Sequence, residues 1–125
     1  MVRLFSVRGA ILLVGLGFLT LTVVLPSPIR ACDKSFRVYN ETNTAIEKLY
    51  VSPTSARKWE DDVLGDNTLD SGKSTVIDMS RDTRDLKLYD VKAVFSNGAV
   101  ITGGQIPVCK AERVYIHASG VTYGT

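Results

Sequence analysis

Five acidic side chains lie close together along the chain: Glu60, Asp61, Asp62, Asp66 and Asp70. Carboxylate oxygens at this density are ligands that Ca²⁺ uses. The EF-hand spacing is absent, because Gly72 falls one position late relative to Asp66 and no glutamate occupies the twelfth position. We interpret the stretch from Asp61 to Asp70 as solvated charge, with calcium binding as the weaker alternative. Asp62 is expected to accept hydrogen bonds from backbone N–H groups near Leu64 and Gly65.

A second candidate is Gly72-Lys73-Ser74, which imitates the end of a phosphate-binding loop. The first glycine of such a loop would stand at position 67, and that residue is Asn67. The residues after Ser74 continue as a strand, although a helix N-terminus is needed there to receive the phosphate. We therefore predict no nucleotide site and interpret this tripeptide as the turn into a strand.

His117 is the only histidine, so acid-base chemistry would depend on one imidazole and no multi-histidine metal site exists. None of the serines stands in the Gly-x-Ser-x-Gly arrangement of a nucleophile elbow. Catalysis requires an oriented set of partner groups, and the sequence indicates none around His117. We predict no catalytic residue, no metal, no cofactor and no enzyme activity, and we interpret His117 as a structural or surface side chain.

Two cysteines, Cys32 and Cys109, give the chain an even number of thiols. In an exported protein this favours a disulfide between them. A second interpretation is open, because residues 29–32 resemble a lipoprotein box in which Cys32 is acylated. Cys109 would then be a buried free thiol. The two interpretations are mutually exclusive, and we favour the disulfide.

Residues 1–31 have the three-part layout of a secretory signal peptide. Arg3 and Arg8 precede an uncharged apolar run over residues 9–25, and prolines and Ala31 follow it. We predict cleavage after Ala31, a single exported domain over residues 32–125, and a periplasmic or secreted location. A lipid anchor at Cys32 or an uncleaved N-terminal membrane anchor is the alternative.

The predicted domain is nearly neutral. The chain has 15 basic and 13 acidic residues, but three of the basic ones precede residue 32, which leaves residues 32–125 with a formal charge of −1. Nucleic-acid binding requires a clustered positive face. We therefore predict no nucleic-acid partner.

The pattern of apolar residues predicts an all-β fold. Alternation typical of strands occurs at residues 35–40, 45–52, 74–79 and 112–118 and in both arms of a central hairpin. Leu49 and Val51 share one face of their strand while Ile46 and Tyr50 share the other, so a bulge lies between them or both faces are covered. About six short strands predict a small antiparallel β-sandwich or a partly open barrel.

Residues 54–65 have a different pattern. Trp59 and Val63 are one helical turn apart, and Gly65 stands where the first residue after a helix is expected. We predict one short helical turn that lies over the sheet. Trp59 is predicted as a structural anchor, because removing a buried tryptophan side chain costs about 3–5 kcal/mol.

The central hairpin is predicted from Asn97-Gly98, which stands between two apolar runs. Both residues tolerate the positive φ that a two-residue type I′ turn requires, and this turn predicts Phe95 opposite Val100. Gly103-Gly104 in the return strand predicts a bulge, a bend or a close approach of another backbone. The core face of the first arm then carries Tyr89, Val91, Ala93 and Phe95.

The sequence resembles a largely uncharacterised family of small exported bacterial β-domain proteins. The resemblance spans nearly all of residues 32–125 and implies an exported β domain without implying a reaction. It rests on Phe36-x-Val38-x-Asn40-x-Thr42, Leu49-Tyr50-Val51-Ser52-Pro53, Trp59-x-x-Asp62-x-Leu64-Gly65, Tyr89-Asp90-Val91-x-Ala93-x-Phe95-x-x-Gly98 and Cys109.

These observations favour a non-enzymatic binding or structural domain of the bacterial envelope, whose partner is a protein or an envelope component. The alternative is a small inhibitor or immunity-type protein that presents a loop such as residues 80–85 to an exported enzyme. A hydrolase or lyase without a recognisable motif ranks last.

Overall fold

A computed structural model describes residues 32–125 of the chain. The predicted signal peptide, residues 1–31, lies outside the described residues. Within residues 32–125, no helix has the length and apolar character needed to cross a membrane.

Within residues 32–125, seven strands form two sheets, which confirms the predicted all-β fold of the sandwich type. The strands are β1 (Ser35–Asn40), β2 (Ile46–Pro53), β3 (Ser74–Asp78), β4 (Leu88–Phe95), β5 (Val100–Pro107), β6 (Arg113–His117) and β7 (Gly120–Gly124). The four-stranded sheet has the order β3-β1-β6-β7, and the three-stranded sheet has the order β2-β4-β5. The sheets remain open and do not close into a barrel.

Two features of this topology differ from the prediction. A seventh strand, β7, forms a hairpin with β6 in a part of the chain that was expected to end in one strand. The pair β1 and β6 is parallel, whereas an entirely antiparallel fold was expected. Parallel neighbours require a long connection, and here the chain visits the other sheet between them, which no local pattern indicates.

The predicted helical turn at residues 54–65 is wrong, because the described residues of this segment form turns and one isolated β-bridge. Val63 N donates to Leu49 O at 2.7 Å, and the Asp62 carboxylate accepts from the backbone N–H groups of Leu49 at 2.9 Å and Leu64 at 3.0 Å. A short helix is marginally stable in isolation. Here the segment forms its hydrogen bonds with the edge of β2 instead of forming a helix. Gly65 still adopts a left-handed conformation, with φ +60°.

The core lies between the sheets and follows the alternation predicted for β4. All four residues of its predicted core face are buried. In β2 a bulge between Ile46 and Lys48 brings Ile46 to the same buried face as Leu49 and Val51. Of the two alternatives for β2, the bulge is therefore the correct one.

The β4–β5 hairpin occurs as predicted, but its register differs by one residue. Val94, not Phe95, lies opposite Val100, because Phe95 N donates to Ala99 O at 2.9 Å across a three-residue loop. Gly98 has φ +86°, whereas Asn97 does not have a positive φ. A type I turn closed by one left-handed glycine needs only one residue with positive φ, so the type I′ prediction is wrong although Gly98 was correctly singled out.

The predicted irregularity at Gly103-Gly104 is confirmed. The register shifts between Tyr89 and Val91 of β4, and Gln105 has φ +58°. A Cβ at Gly103 would overlap with the Cβ of Val121 on β7. Gly103 therefore permits the edges of the two sheets to approach each other closely.

A disulfide joins Cys32 to Cys109, as predicted, across 77 positions of the sequence. It ties the residues before β1 to the end of β5. A sulfur in a disulfide cannot carry a lipid, so the structure has the disulfide and not the acylated Cys32. Disulfides persist in oxidising compartments and are typical of exported proteins.

We expect Gly98→Val to lower the free energy of unfolding by about 2 kcal/mol, because a β-branched residue is strained at positive φ. Gly98→Asn is the matched control, since asparagine tolerates this conformation. Thermal unfolding of both variants gives the measurement. Equal melting temperatures for the valine variant and the parent would contradict the observed loop geometry.

We expect reduction of the disulfide to destabilise the protein by roughly 4 kcal/mol in the chain-entropy model, because the closed loop spans most of the domain. Intact mass after alkylation, with and without reduction, checks the bond itself. Two thiols should become alkylated only after reduction. Thiols that react beforehand, or a diacylglycerol mass increment, would contradict the disulfide.

Candidate functional site

The ammonium group of Lys34 lies at the centre of a polar cluster beneath the loop of residues 79–86. Lys34 is only 4% exposed and has φ +52°. Its Nζ donates to Asp82 O at 3.0 Å, to Arg84 O and to the Tyr89 hydroxyl at 3.2 Å. These three acceptors account for all three donors of the ammonium group. We call the set of Lys34, Glu60, Asp82, Arg84 and Tyr89 the polar cluster.

The carboxylates of Asp82 and Glu60 balance the positive charges of Lys34 and Arg84 in this cluster, and Asp82 contacts both cations. It accepts hydrogen bonds from Arg84 Nε at 2.8 Å and from the Tyr89 hydroxyl, and its Oδ1 lies 3.8 Å from Lys34 Nζ. Arg84 also binds both carboxylate oxygens of Glu60, at 3.0 and 3.1 Å. Such a paired fork is the strongest geometry for a guanidinium group.

The same contacts fix the protonation states. Hydrogen bonds from Arg84 hold the pKa of Asp82 well below its usual range, and Tyr89 and the charge of Lys34 act in the same direction. Burial, together with the hydrogen bond to Asp82, raises the pKa of Tyr89. Asp82 is therefore ionised and Tyr89 protonated at neutral pH. A catalytic acid or base works best with a pKa near the operating pH, so the cluster is suited to holding a loop and not to proton transfer.

A second feature is an aromatic face on the outer side of the three-stranded sheet. Lys92 Nζ lies 5.5 Å from the ring centroid of Tyr50 and 5.8 Å from that of Trp59, and the two rings are 6.5 Å apart. These distances are within the range of cation–π contacts. Arg57 and Lys58 are exposed beside Trp59. We call Tyr50, Arg57, Lys58, Trp59 and Lys92 the aromatic face.

A shallow cavity of about 180 Å³ opens beside Trp59. Arg57, Lys58 and Asp90 line it. The Asp90 carboxylate accepts from the Thr54 hydroxyl at 2.7 Å and from Gln105 N at 3.0 Å, so it is already hydrogen-bonded to the protein. The two cations remain available to a ligand with negative charge.

The structure places the predicted site residues in separate parts of the fold. Trp59 is half-buried and lies outside the hydrophobic core, against Tyr50 on the surface of the sheet. Cys32 and Cys109 form the disulfide, while Gly65, Asn97 and Gly98 lie in turns. These residues do not converge on one site.

His117 belongs to a third surface. Its ring follows Tyr39 and Tyr115 in a row on the outside of the four-stranded sheet, with ring centroids 5.0 and 6.2 Å apart. Its Nδ1 lies 3.3 Å from a carboxylate oxygen of Glu41, and its Nε2 lies 2.9 Å from the Thr122 hydroxyl. Both ring nitrogens thus have partners on neighbouring segments of the protein.

The acidic residues of 60–70 are also dispersed. Asp62 binds backbone N–H groups, as predicted for Leu64, and Glu60 binds Arg84. Asp61, Asp66 and Asp70 are exposed. Within residues 32–125, no three His, Cys, Asp or Glu side chains gather as a metal site requires.

The polar cluster was not predicted from the sequence. Lys34 and Asp82 are 48 positions apart, and Lys34 reads as an ordinary charge that flanks a strand. A tyrosine within an apolar alternation is a weak signal of such a cluster, because a buried hydroxyl needs a polar partner.

No protein-family model matches the chain, and no curated protein matches it. Its structure is similar to the NMR structure of a protein from Eubacterium rectale. The two chains share 20% sequence identity and superpose with a TM-score of 0.48, over 72% of this chain and 84% of that chain.

We expect the stability that Asp82 contributes to be pH-dependent. Because its pKa is lowered by folding from 3.8, the contribution is complete above about pH 4 and is lost as the pH falls further. Asp82→Asn should lower the melting temperature at pH 7 and flatten its fall on acidification. The exposed Asp66→Asn is the control and should follow the parent curve. An unchanged acid limb in Asp82→Asn would contradict the assigned role.

Proposed function

We propose that the chain is a non-enzymatic binding domain of the bacterial envelope, periplasmic or secreted, which contacts an anionic protein or envelope component through its aromatic face. Export is supported by the signal-peptide layout of residues 1–31 and by the disulfide between Cys32 and Cys109. The family resemblance agrees with this proposal.

The observation that carries the proposal is the position of Trp59 outside the hydrophobic core. Its side chain is partly exposed and covers Tyr50 and Lys92 on the outside of a sheet. Tryptophan, tyrosine and arginine are the residues most enriched at binding hot spots, and all three occur here. The positive charges of Arg57, Lys58 and Lys92 favour a partner that carries negative charge.

The alternative is an inhibitor or immunity-type protein that presents residues 80–85. One observation favours it: Lys34 binds two carbonyl oxygens of this loop, at Asp82 and Arg84, from below. Ser80, Arg81 and Thr83 remain exposed. A loop held in one conformation loses less entropy on binding, which is what an inhibitory loop requires.

We expect Trp59→Ala to weaken capture of the partner strongly while the domain remains folded. The wild-type chain and two variants, Trp59→Ala and Tyr123→Ala, are immobilised and exposed to envelope extract. Tyr123 is an exposed aromatic residue on the other sheet, so its variant is the matched control. The partner should be retained by the wild type and by Tyr123→Ala and reduced by roughly 30-fold with Trp59→Ala, as for a hot-spot residue.

Stability measurements accompany this experiment. Because Trp59 is half-buried, its truncation should cost about 1–2 kcal/mol, less than the 3–5 kcal/mol typical of a core aromatic. Trp59 is the only tryptophan, so its fluorescence reports partner binding directly. Equal capture by Trp59→Ala would contradict the aromatic face, and loss only in a variant of the exposed Arg81 would favour the inhibitory loop.

A further inference from the structure

The disulfide between Cys32 and Cys109 lies at the surface of the domain. Both cysteine residues are exposed, which opens the bond to attack by a thiolate. Exposed disulfides are more easily reduced than buried structural ones. The chain has only these two cysteines, so reduction leaves two thiols that have no other cysteine in the chain to pair with.

The disulfide is also the long-range tether of the residues that precede Lys34. Asp33 is exposed, and its hydrogen bonds within residues 32–125 join it only to the neighbouring Ser35. Lys34 has φ +52°, a left-handed conformation that is unfavourable for a residue with a Cβ. Such a conformation persists only where the surrounding contacts fix it. The disulfide fixes the backbone on one side of Lys34, and β1 fixes it on the other.

Lys34 connects this short segment to the loop of residues 79–86. Its Nζ donates to Asp82 O at 3.0 Å and to Arg84 O, and its own carbonyl oxygen accepts from Met79 N at 3.3 Å. Beyond Lys34, the hydrogen bonds that join this loop to distant residues of 32–125 come from Glu60 and Tyr89 alone. Lys34 is therefore a main anchor of the loop.

The loop depends on the ammonium group as a hydrogen-bond donor. Two of its carbonyl oxygens, at Asp82 and Arg84, face the buried Nζ. If Lys34 moves away, these oxygens lose that donor, and water must replace it because an unsatisfied buried carbonyl costs free energy. Water reaches them only when the loop opens. Displacement of Lys34 therefore favours an open loop.

We propose that the disulfide is a redox-sensitive switch for the 79–86 loop. Reduction frees residues 32–34, moves the ammonium group of Lys34 away from the loop carbonyls and opens the loop. The reductant is a dithiol: one of its thiolates attacks a sulfur atom and breaks the S–S bond, and its second thiolate resolves the mixed disulfide. Two electrons and two protons pass to Cys32 and Cys109, which become thiols, while the reductant becomes a disulfide.

The switch acts on the surface of residues 80–85 and is independent of the aromatic face. A loop fixed in one conformation loses less entropy when a partner binds. The oxidised protein is therefore the form that presents this loop for binding, and the reduced protein is the form that withdraws it.

The first test is limited proteolysis by trypsin. The protein is reduced with dithiothreitol, alkylated and freed of reagent, and it is compared with the untreated protein. Cleavage after Arg81, in the loop, should be at least about tenfold faster in the reduced form. Cleavage after Lys73, an exposed residue in the turn at the other end of β3, is the control and should change by less than about threefold. Unchanged cleavage after Arg81 would overturn the proposal, and so would equal acceleration at both sites, because it would report unfolding of the whole domain.

The second test asks whether the response passes through Lys34. Lys34→Met removes the ammonium group, while Lys110→Met alters an exposed lysine next to Cys109 and is the matched control. In Lys34→Met, cleavage after Arg81 should be fast in both redox states and differ between them by less than about threefold, whereas Lys110→Met should keep the response of about tenfold. A full response in Lys34→Met would overturn the proposal.

NMR of the ammonium group gives the same test with the unaltered sequence, should Lys34→Met fail to fold. A buried, hydrogen-bonded ammonium group exchanges its protons slowly and gives a ¹⁵Nζ signal, whereas exposed lysines exchange too fast to be seen. The signal of Lys34 should be present in the oxidised protein and absent from the reduced protein. A signal that persists after reduction would overturn the proposal, because Lys34 would then have stayed in place.

Discussion

The buried ammonium group of Lys34 constrains much of this structure. Burying a cation away from water costs free energy unless the cation is paired and hydrogen-bonded. Hydrogen-bond acceptors must therefore lie around the ammonium group of Lys34. Two of them are carbonyl oxygens of the 79–86 loop, and the third is the hydroxyl of Tyr89, which is itself fully buried. The loop, the start of β1 and the central strand β4 are consequently fixed relative to one another.

Local patterns predicted the features that depend on local chemistry. The core face of β4 follows from alternation and the Asp62 cap from a short polar side chain, while the disulfide follows from the cysteine count and the export signal. The alternation of β2 left two alternatives, of which the structure has the bulge. The hairpin register failed because Asn97-Gly98 is compatible with two loop lengths, and only the pairing of Phe95 with Ala99 distinguishes them. The parallel β1–β6 pair joins residues that are far apart in the sequence, and so does the polar cluster. No local periodicity indicates either of them.

The segment between β2 and β3 determines the position of the aromatic face. Residues 54–65 were predicted as a helical turn, but the segment runs along the edge of β2 instead, held by the bridges of Tyr50 with Asp62 and of Ile46 with Leu69. This course sends Trp59 onto the outer face of the sheet. The same course carries residues 63–70 to a groove beside β3. A helix would have formed its backbone hydrogen bonds internally and left the edge of β2 open.

The choice of β3 backbone groups that face away from β1 depends on Lys34, the residue that precedes β1. Lys34 O accepts from Met79 N, and this bond sets which β3 residues pair with β1. A slip by one residue would turn Val76 toward the core and expose Ile77, which is 4% exposed in the observed register. Because Lys34 Nζ also binds the loop that follows β3, a slip would separate the buried cation from its acceptors. The polar cluster thus selects the register in which the backbone groups of Ser74, Val76 and Asp78 face away from β1.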